Sequence, residues 1–173
     1  PPPVKTRALA AGIQVLQPPR LRDPEWPERL RALGADVGVV VAFGQILPRA
    51  VLDAPRRGSI NVHGSLLPRY RGAAPINWAI INGEKETGVT TFKLQHEIDT
   101  GNVLLQEKIE IGDDESAGEL HDRMKDIGAR LLVDTIKGLV EGTLQEIPQS
   151  SIVNRESSIE NSDSLLPDPH LPL

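Results

Sequence analysis

The chain lacks several residue types, and each absence excludes a kind of chemistry or structure. It has no cysteine, so disulfide and thiolate chemistry are excluded, and a metal site would need histidine and carboxylates. Aromatic residues make up only 3%, which favours a buried parallel sheet with helices over an aromatic-rich β sandwich. No apolar run reaches the roughly 20 residues that span a bilayer, and no signal peptide is visible. We therefore expect a cytoplasmic protein that does not contact the membrane.

The charge of the chain limits its partners in a similar way. A net charge of -5 over 173 residues argues against a general nucleic-acid coat, which needs a basic surface. Arginines nevertheless concentrate in one stretch, opposed by a single acid, Asp53: Arg49, Arg56, Arg57, Arg69 and Arg71. A patch for an anionic substrate and an ordinary solvated face both fit this pattern. No GxGxxG motif or P-loop supports a nucleotide cofactor.

Strand and helix patterns alternate through the first two thirds of the chain, which predicts an open α/β sheet. Strands are predicted at 13–16, 37–43, 59–63, 87–94 and 103–111. The 37–43 run, VGVVVAF, is continuously apolar, as is typical of a strand covered on both faces. Helices are predicted at 28–33 and 73–81, and after a capping box that begins at Ser116. The apolar stripe of this last helix is expected to be core: Leu120, Met124, Ile127 and Leu131.

Asn61 and His63 are the first candidates for chemistry. They are two residues apart in a predicted strand, so their side chains share one face. Ligands of open α/β sheets bind at the carboxyl ends of the strands. There an amide can donate to a developing oxyanion, and an imidazole can move a proton near neutral pH. A histidine satisfied by ordinary hydrogen bonds fits the same spacing, so geometry alone leaves both interpretations open.

Asp99 lies in the segment HEIDTG, where two interpretations again remain open. A carboxylate before a glycine often only caps a turn, and it can also serve as a general base or proton relay. The side chains of His63, His96 and Asp99 are of types that ligate zinc, but their spacing matches no known motif, and we expect no metal.

Three segments resemble a known family: GSINVHGSLLPRYRGAAPINWAIINGE, then ETGVTTFKL, then HEIDTGNVLLQ. In this order they are similar to the 10-formyltetrahydrofolate-dependent formyltransferases, and most closely to the methionyl-tRNA formyltransferases. The resemblance extends from about Val4 to Gln149. It implies a Rossmann-like fold with an open, mostly parallel sheet flanked by helices.

The resemblance also implies roles for individual residues. Asn61 and His63 match the residues that hold the formyl oxygen while a tetrahedral intermediate forms. Asp99 matches the carboxylate that orients the histidine and assists proton transfer through water. The folate-binding loop is matched by four residues: Ser65, Leu66, Leu67 and Pro68. The lining of the pterin pocket is matched by five: Phe43, Gly44, Gln45, Ile46 and Leu47.

The implied partners are 10-formyltetrahydrofolate as formyl donor and initiator methionyl-tRNA as acceptor, in a monomeric enzyme of translation initiation. Residues 1–149 are expected to form the catalytic domain, and residues 150–173 a linker or disordered tail. Members of the family usually carry a strand and a Gly-rich turn upstream of the point where this sequence begins. They also carry a C-terminal barrel that helps to hold tRNA, which the tail does not resemble. The letters SLLP recur at 164–167, without the accompanying motifs, and this repeat is interpreted as coincidence.

Three other functions remain open from the sequence. One is a formyltransferase that acts on a nucleotide-linked amino sugar, and another is a hydrolase that releases formate from 10-formyltetrahydrofolate. The third is a non-catalytic chain that only binds folate or folds poorly.

Overall fold

The computed structural model describes residues 1–152 of the chain. Within them the helices are α1 (Pro3–Ala10), α2 (Glu25–Ala32), α3 (Arg49–Leu52), α4 (Pro75–Ile81) and α5 (Ala117–Glu141). The strands are β1 (Gly38–Val40), β2 (Ser59–His63), β3 (Glu86–Lys93) and β4 (Val103–Glu110). A short 3₁₀ turn follows at Gln149–Ser151. The repeat at 164–167 and most of the predicted tail lie outside the described residues.

The four strands form one sheet in the order β1-β2-β3-β4. β1 and β2 run parallel, whereas β2–β3 and β3–β4 are antiparallel. The α/β, Rossmann-like class predicted from the sequence is confirmed, with helices packed against a mixed sheet. The expectation of a mostly parallel sheet is corrected, since only one of the described strand pairs is parallel. The reason is the short connection between β3 and β4, which suits an antiparallel neighbour better than a crossover.

Helix α5 covers one face of the sheet and begins where the capping box predicts. The Ser116 hydroxyl accepts from the Glu119 N–H while the Glu119 carboxylate accepts from the Ser116 N–H. The helix ends at Gly142, which has the left-handed φ of 69° that glycine adopts without steric cost. The predicted stripe is buried at Leu120, Met124 and Leu131 and partly buried at Ile127. These side chains bury Val89 of β3 and Ile109 of β4 in the main core.

The opposite face of β3 packs against the loop that follows β2. Side chains alternate along a strand, so Thr91 points towards α5, where its hydroxyl lies 2.7 Å from that of Thr135. Phe92 points the other way and forms a second cluster with Leu67 and Val103. The sheet is therefore covered on both faces in the region of β3.

Two predicted strands differ from the structure. Residues 13–16 form no strand, because no described strand lies beside them to pair, and Ile13 is 61% exposed. The 37–43 run is a strand only at Gly38–Val40, and its valines are not covered on both faces, since Val41 is 56% exposed. Ala42 has a φ of 48°, which ends the extended backbone there.

The remaining elements lie close to their predictions, apart from α1, which the sequence analysis missed. α2 begins three residues before the predicted 28–33 range. α4 begins two residues late, because Ala74 before it has a left-handed backbone. Among residues 1–152, no helix combines the length and the apolar character needed to cross a membrane.

Candidate active site

Strand β2 brings Asn61 and His63 to one end of the sheet. Both line a cavity of about 1010 Å³ that opens there. The Asn61 Oδ1 is buried and has no hydrogen-bond partner within the described residues. A buried amide oxygen without a hydrogen-bond partner destabilises the folded state by roughly 1–3 kcal/mol, so other interactions must compensate for this loss. We interpret this unused hydrogen-bonding capacity as a sign that the amide serves a ligand.

His63 is held by contacts on both ring nitrogens. Its Nε2 lies 2.8 Å from the carbonyl oxygen of Tyr70. Because a carbonyl only accepts hydrogen bonds, this contact assigns the ring proton to Nε2. The other nitrogen, Nδ1, lies 3.6 Å from the Asp99 Oδ2. The nitrogen that can gain and lose a proton therefore faces a carboxylate.

Asp99 is fixed by the loop that follows β2. Its Oδ2 accepts a hydrogen bond of 2.8 Å from the backbone N–H of Gly72. Only 12% of its side chain is exposed, so the carboxylate is largely shielded from water. Asp99 and His63 come from separate parts of the chain, and the fold brings them together at the cavity as the family resemblance implies.

Left-handed backbone conformations concentrate around this site. Within residues 1–152, four residues other than glycine have a positive φ: Ala42, Tyr70, Ala74 and Asp99. Ala42, Ala74 and Asp99 line the cavity, and Tyr70 supplies the carbonyl that binds His63. Such conformations cost of order 1–3 kcal/mol each and persist where the surroundings enforce them. Their clustering is typical of a functional site.

A polar network fixes the Tyr70 segment behind His63. The Glu84 carboxylate accepts hydrogen bonds from the Arg69 guanidinium and from the Tyr70 hydroxyl. The same hydroxyl accepts from the Asn82 amide at 2.9 Å. Burial by itself raises the pKa of the Glu84 carboxyl, but the hydrogen bonds from Arg69 and Tyr70 and the positive charge of Arg69 outweigh it, so the pKa is lowered. For Tyr70, burial and the neighbouring Glu84 raise the pKa of the hydroxyl.

The two predicted folate segments occupy different positions. All residues from Phe43 to Leu47 line the cavity. Ser65 to Pro68 do not, since Ser65 and Leu67 are 0% and 1% exposed and lie in the core. The fold places this loop outside the lining of the cavity, and its contact with folate stays a prediction.

The buried loop instead braces the site through strand β3. The Thr90 hydroxyl donates to the Ser65 carbonyl at 2.6 Å and accepts from the Leu67 N–H at 3.1 Å. Leu66 packs against Gly88, where an added Cβ would lie 2.4 Å from the leucine Cδ2. Gly88 therefore makes room for the loop, and the loop sets the path of the chain between His63 and Tyr70.

The concentrated arginines all contact other residues of the chain, while the side chains of Arg49 and Arg56 remain 82% and 72% exposed. Each is engaged by an internal partner: Arg49 by Asp53, Arg56 by Asp36, Arg57 by the Leu139 carbonyl, Arg69 by Glu84 and Arg71 by Gln149. Exposed ion pairs of this kind fit the interpretation as an ordinary solvated face, and a role in anion binding stays a prediction.

Among the described residues, no group of three or more histidine, aspartate or glutamate side chains is placed to hold a metal ion. His96 lines the cavity, but its side chain is exposed and contacts neither His63 nor Asp99 through a hydrogen bond.

Sequence reasoning missed three groups that hold the candidate catalytic residues: the Tyr70 carbonyl, the Gly72 N–H and the Gln149 amide. Two of these are backbone atoms, which carry no signature in a sequence. Gln149 stands at the predicted end of the domain, and its burial at 4% exposed depends on a fold that returns it to the site.

A Rossmann-like sheet with an amide, an imidazole and a carboxylate around a cavity at its strand ends defines the class as an α/β domain with a candidate active site at the edge of the sheet. The sequence model described as formyl transferase matches residues 2–136. The chain therefore belongs to the formyl transferase family.

The chain is also similar to individual members of this family. It is 55% identical over 148 residues to a methionyl-tRNA formyltransferase of Acetivibrio thermocellus, covering 86% of this chain and 48% of that protein. The chain thus spans about half the length of the curated relative.

Solved structures share the fold at low sequence identity. A glycinamide ribonucleotide transformylase from Symbiobacterium toebii matches with a TM-score of 0.75 at 23% identity, over 82% of this chain and 74% of that one. The formyltransferase PseJ from Anoxybacillus kamchatkensis, crystallised with a sugar nucleotide and tetrahydrofolate, matches with a TM-score of 0.68 at 18% identity, over 86% and 78%.

Proposed function

We propose that this chain is the catalytic part of an enzyme that transfers a formyl group from 10-formyltetrahydrofolate to the α-amine of initiator methionyl-tRNA. The observation that carries the proposal is the buried, unpartnered Oδ1 of Asn61 beside the His63–Asp99 pair at one cavity, on a side chain whose Nδ2 supplies the donor that an oxyanion needs. The 55% identity to a protein named methionyl-tRNA formyltransferase supports the choice of acceptor.

The folate is a co-substrate that must bring its formyl group next to Asn61. A cavity of about 1010 Å³ is at the upper end of the range for ligand pockets and is large enough for a pterin with its aryl extension. Phe43 to Leu47 form an apolar wall on one side, which suits a flat heteroaromatic ring. We assign the pterin to this wall, and the N10 end to the strand-end residues Asn61 and His63.

The chemistry begins when the amine nitrogen attacks the formyl carbon and forms a new C–N bond. Negative charge then builds on the formyl oxygen, and the Asn61 Nδ2 donates to it; His63 Nδ1 becomes a second donor once it has taken up the proton of the attacking amine. Donors that are already fixed in position stabilise this developing charge most effectively, because the protein does not need to reorganise in the transition state. The His63 ring is fixed in this way by the Tyr70 carbonyl.

The tetrahedral intermediate collapses by breaking the bond between the formyl carbon and N10. The amine must lose a proton and N10 must gain one, so the two sites need a relay. His63 Nδ1 takes up the proton, and the Asp99 carboxylate at 3.6 Å stabilises the imidazolium that results. Water at the cavity completes the transfer to N10. No covalent intermediate with the protein is required.

An acceptor assay tests the proposal on the full-length protein with 10-formyltetrahydrofolate as donor. Formylation of initiator methionyl-tRNA, with no product from a nucleotide-linked amino sugar, is the expected result. Formylation of the sugar nucleotide alone would assign the other acceptor. Formate release at the same rate without any amine would identify a hydrolase, and absence of all three products would leave folate binding without catalysis.

A further inference from the structure

Gln149 lies beside the candidate catalytic residues although it is distant from them in sequence. The segment that carries it returns to the sheet after helix α5. Val103 and Ile147 exchange two backbone hydrogen bonds of 2.8 and 2.9 Å, and Glu146 pairs with Lys93 at 2.7 Å. These contacts fix the segment beside the β3–β4 loop that contains Asp99.

The Gln149 side chain uses its full amide to join three segments. Its Nε2 donates to the backbone carbonyls of Asp99 and Gly101, both at 2.8 Å. Its Oε1 accepts from the Arg71 Nε and Nη2 at 2.9 and 2.6 Å. The carbonyls only accept and the guanidinium only donates, so this orientation of the amide is the one that satisfies both sides.

These bonds close a ring around the Asp99 carboxylate. Arg71 precedes Gly72, whose N–H donates to the Asp99 Oδ2 at 2.8 Å. The backbone of Asp99 is thus held by Gln149 from one side, and its carboxylate by Gly72 from the other. The left-handed φ of 53° at Asp99 needs such an enforced setting, because a residue other than glycine does not favour it.

We infer that Gln149 is a positioning residue that holds Asp99 in the orientation needed to pair with His63. The inference rests on the proposed function, and it adds a group that never touches the substrate. Glutamate cannot replace Gln149 here, because a carboxylate would lose both donors and set its oxygens against two carbonyls. Glutamate still accepts from Arg71. Gln149→Glu therefore tests the loss of the hydrogen bond to Asp99 while the contact with Arg71 is kept.

The kinetic test is a double-mutant cycle on Gln149→Ala and Asp99→Ala in the full-length protein, followed in single-turnover assays. Gln149→Ala is expected to lower kcat by about 10- to 100-fold, the effect of a small misplacement of a catalytic group. KM for the folate should stay nearly unchanged, because the interaction lost is made in the transition state. In the Asp99→Ala background the same change should have almost no further effect, since both act through one carboxylate.

Additive effects in the cycle would overturn the inference, because they would mean that Gln149 acts independently of Asp99. Gln149→Glu fills the same volume and keeps the Arg71 contact, and every variant is assayed at a temperature at which it is fully folded, so that a loss of kcat is not a loss of folded protein. Gln145→Ala, an exposed glutamine on the same segment, serves as control and should keep both kcat and Tm.

Amide hydrogen exchange tests the inference without any activity. Exchange of the Gly72 N–H should become at least several-fold faster in Gln149→Glu, while the Leu131 amide in α5 stays protected. Unchanged exchange at Gly72 would overturn the inference. If the wild-type protein formylates no amine, the proposed function fails, and the Gly72 measurement still decides whether Gln149 controls Asp99.

Discussion

His63 Nδ1 faces the Asp99 Oδ2 at 3.6 Å, and each partner is anchored from behind by the backbone of the loop that follows β2. The Tyr70 carbonyl holds the imidazole, and the Gly72 N–H holds the carboxylate. One loop thus sets both halves of the pair. The distance between imidazole and carboxylate therefore depends on how firmly that loop is seated on the sheet.

Removing the candidate catalytic side chains should abolish most formyl transfer. We expect Asn61→Ala to lower kcat by about 100- to 1000-fold, as for loss of an oxyanion donor. His63→Ala and Asp99→Ala should each lower it by about 100- to 10,000-fold, as for loss of a proton relay. Purified variants are compared at saturating folate. Asp134→Ala, an exposed acid on α5, is the control, and near-normal turnover in all three variants would contradict the mechanism.

Thr90 should be essential for seating the loop. Thr90→Val removes the hydroxyl that bonds to Ser65 and Leu67, and it leaves those buried backbone groups without a partner. Each unsatisfied group costs about 1–3 kcal/mol, so a loss of roughly 2–5 kcal/mol is expected in urea unfolding. Thr87→Val on the same strand is the matched control. An equal loss of unfolding free energy in Thr87→Val would show that the hydrogen bonds to the loop are not the cause of the effect.

Gly88 should not tolerate a side chain. An added Cβ would lie 2.4 Å from both the Glu107 carbonyl oxygen and the Leu66 Cδ2, so Gly88→Ala is expected to destabilise the protein by about 1–3 kcal/mol through overpacking. Gly118→Ala in the first turn of α5 is the opposite case, because its nearest such neighbour is 3.9 Å away. There alanine should stabilise the helix by up to about 1 kcal/mol. Thermal unfolding of both variants checks that Gly88→Ala lowers the Tm and Gly118→Ala raises it.

The stability of the protein should depend on the charge of Glu84 at acid pH. The folded-state pKa of Glu84 is lowered, so its contribution is present above the unfolded pKa of about 4.3 and is lost as pH falls through the lower folded value. Replacing it by glutamine removes this dependence. Glu84→Gln should be less stable than the wild type at pH 7, and its stability should fall less steeply below about pH 5. Chemical unfolding at several pH values measures both, with Glu141→Gln as the exposed control. If the free energy of unfolding depended on pH in the same way for Glu84→Gln and the wild type, the lowered pKa of Glu84 would be contradicted.

The sequence determined the features that depend on neighbours along the chain. Strand β2 has the predicted bounds, because a short apolar run with alternating side chains is a local signal. The same locality placed Asn61 and His63 on one face and started α5 at the Ser116 capping box. The ordered motifs, compared with a known family, added Asp99 to this pair.

Only the tertiary structure decided which distant segments meet. The Ser65–Pro68 loop is buried because it packs against Gly88 and bonds to Thr90, both on strand β3, and no local sequence pattern predicts that burial. Gln149 reaches Asp99 because α5 returns the chain to the sheet. The directions of β3 and β4, and the exposure of Val39 and Val41, are likewise set by which strands pair. Pairing and burial are contacts between residues far apart in sequence, so periodicity along one segment cannot determine them.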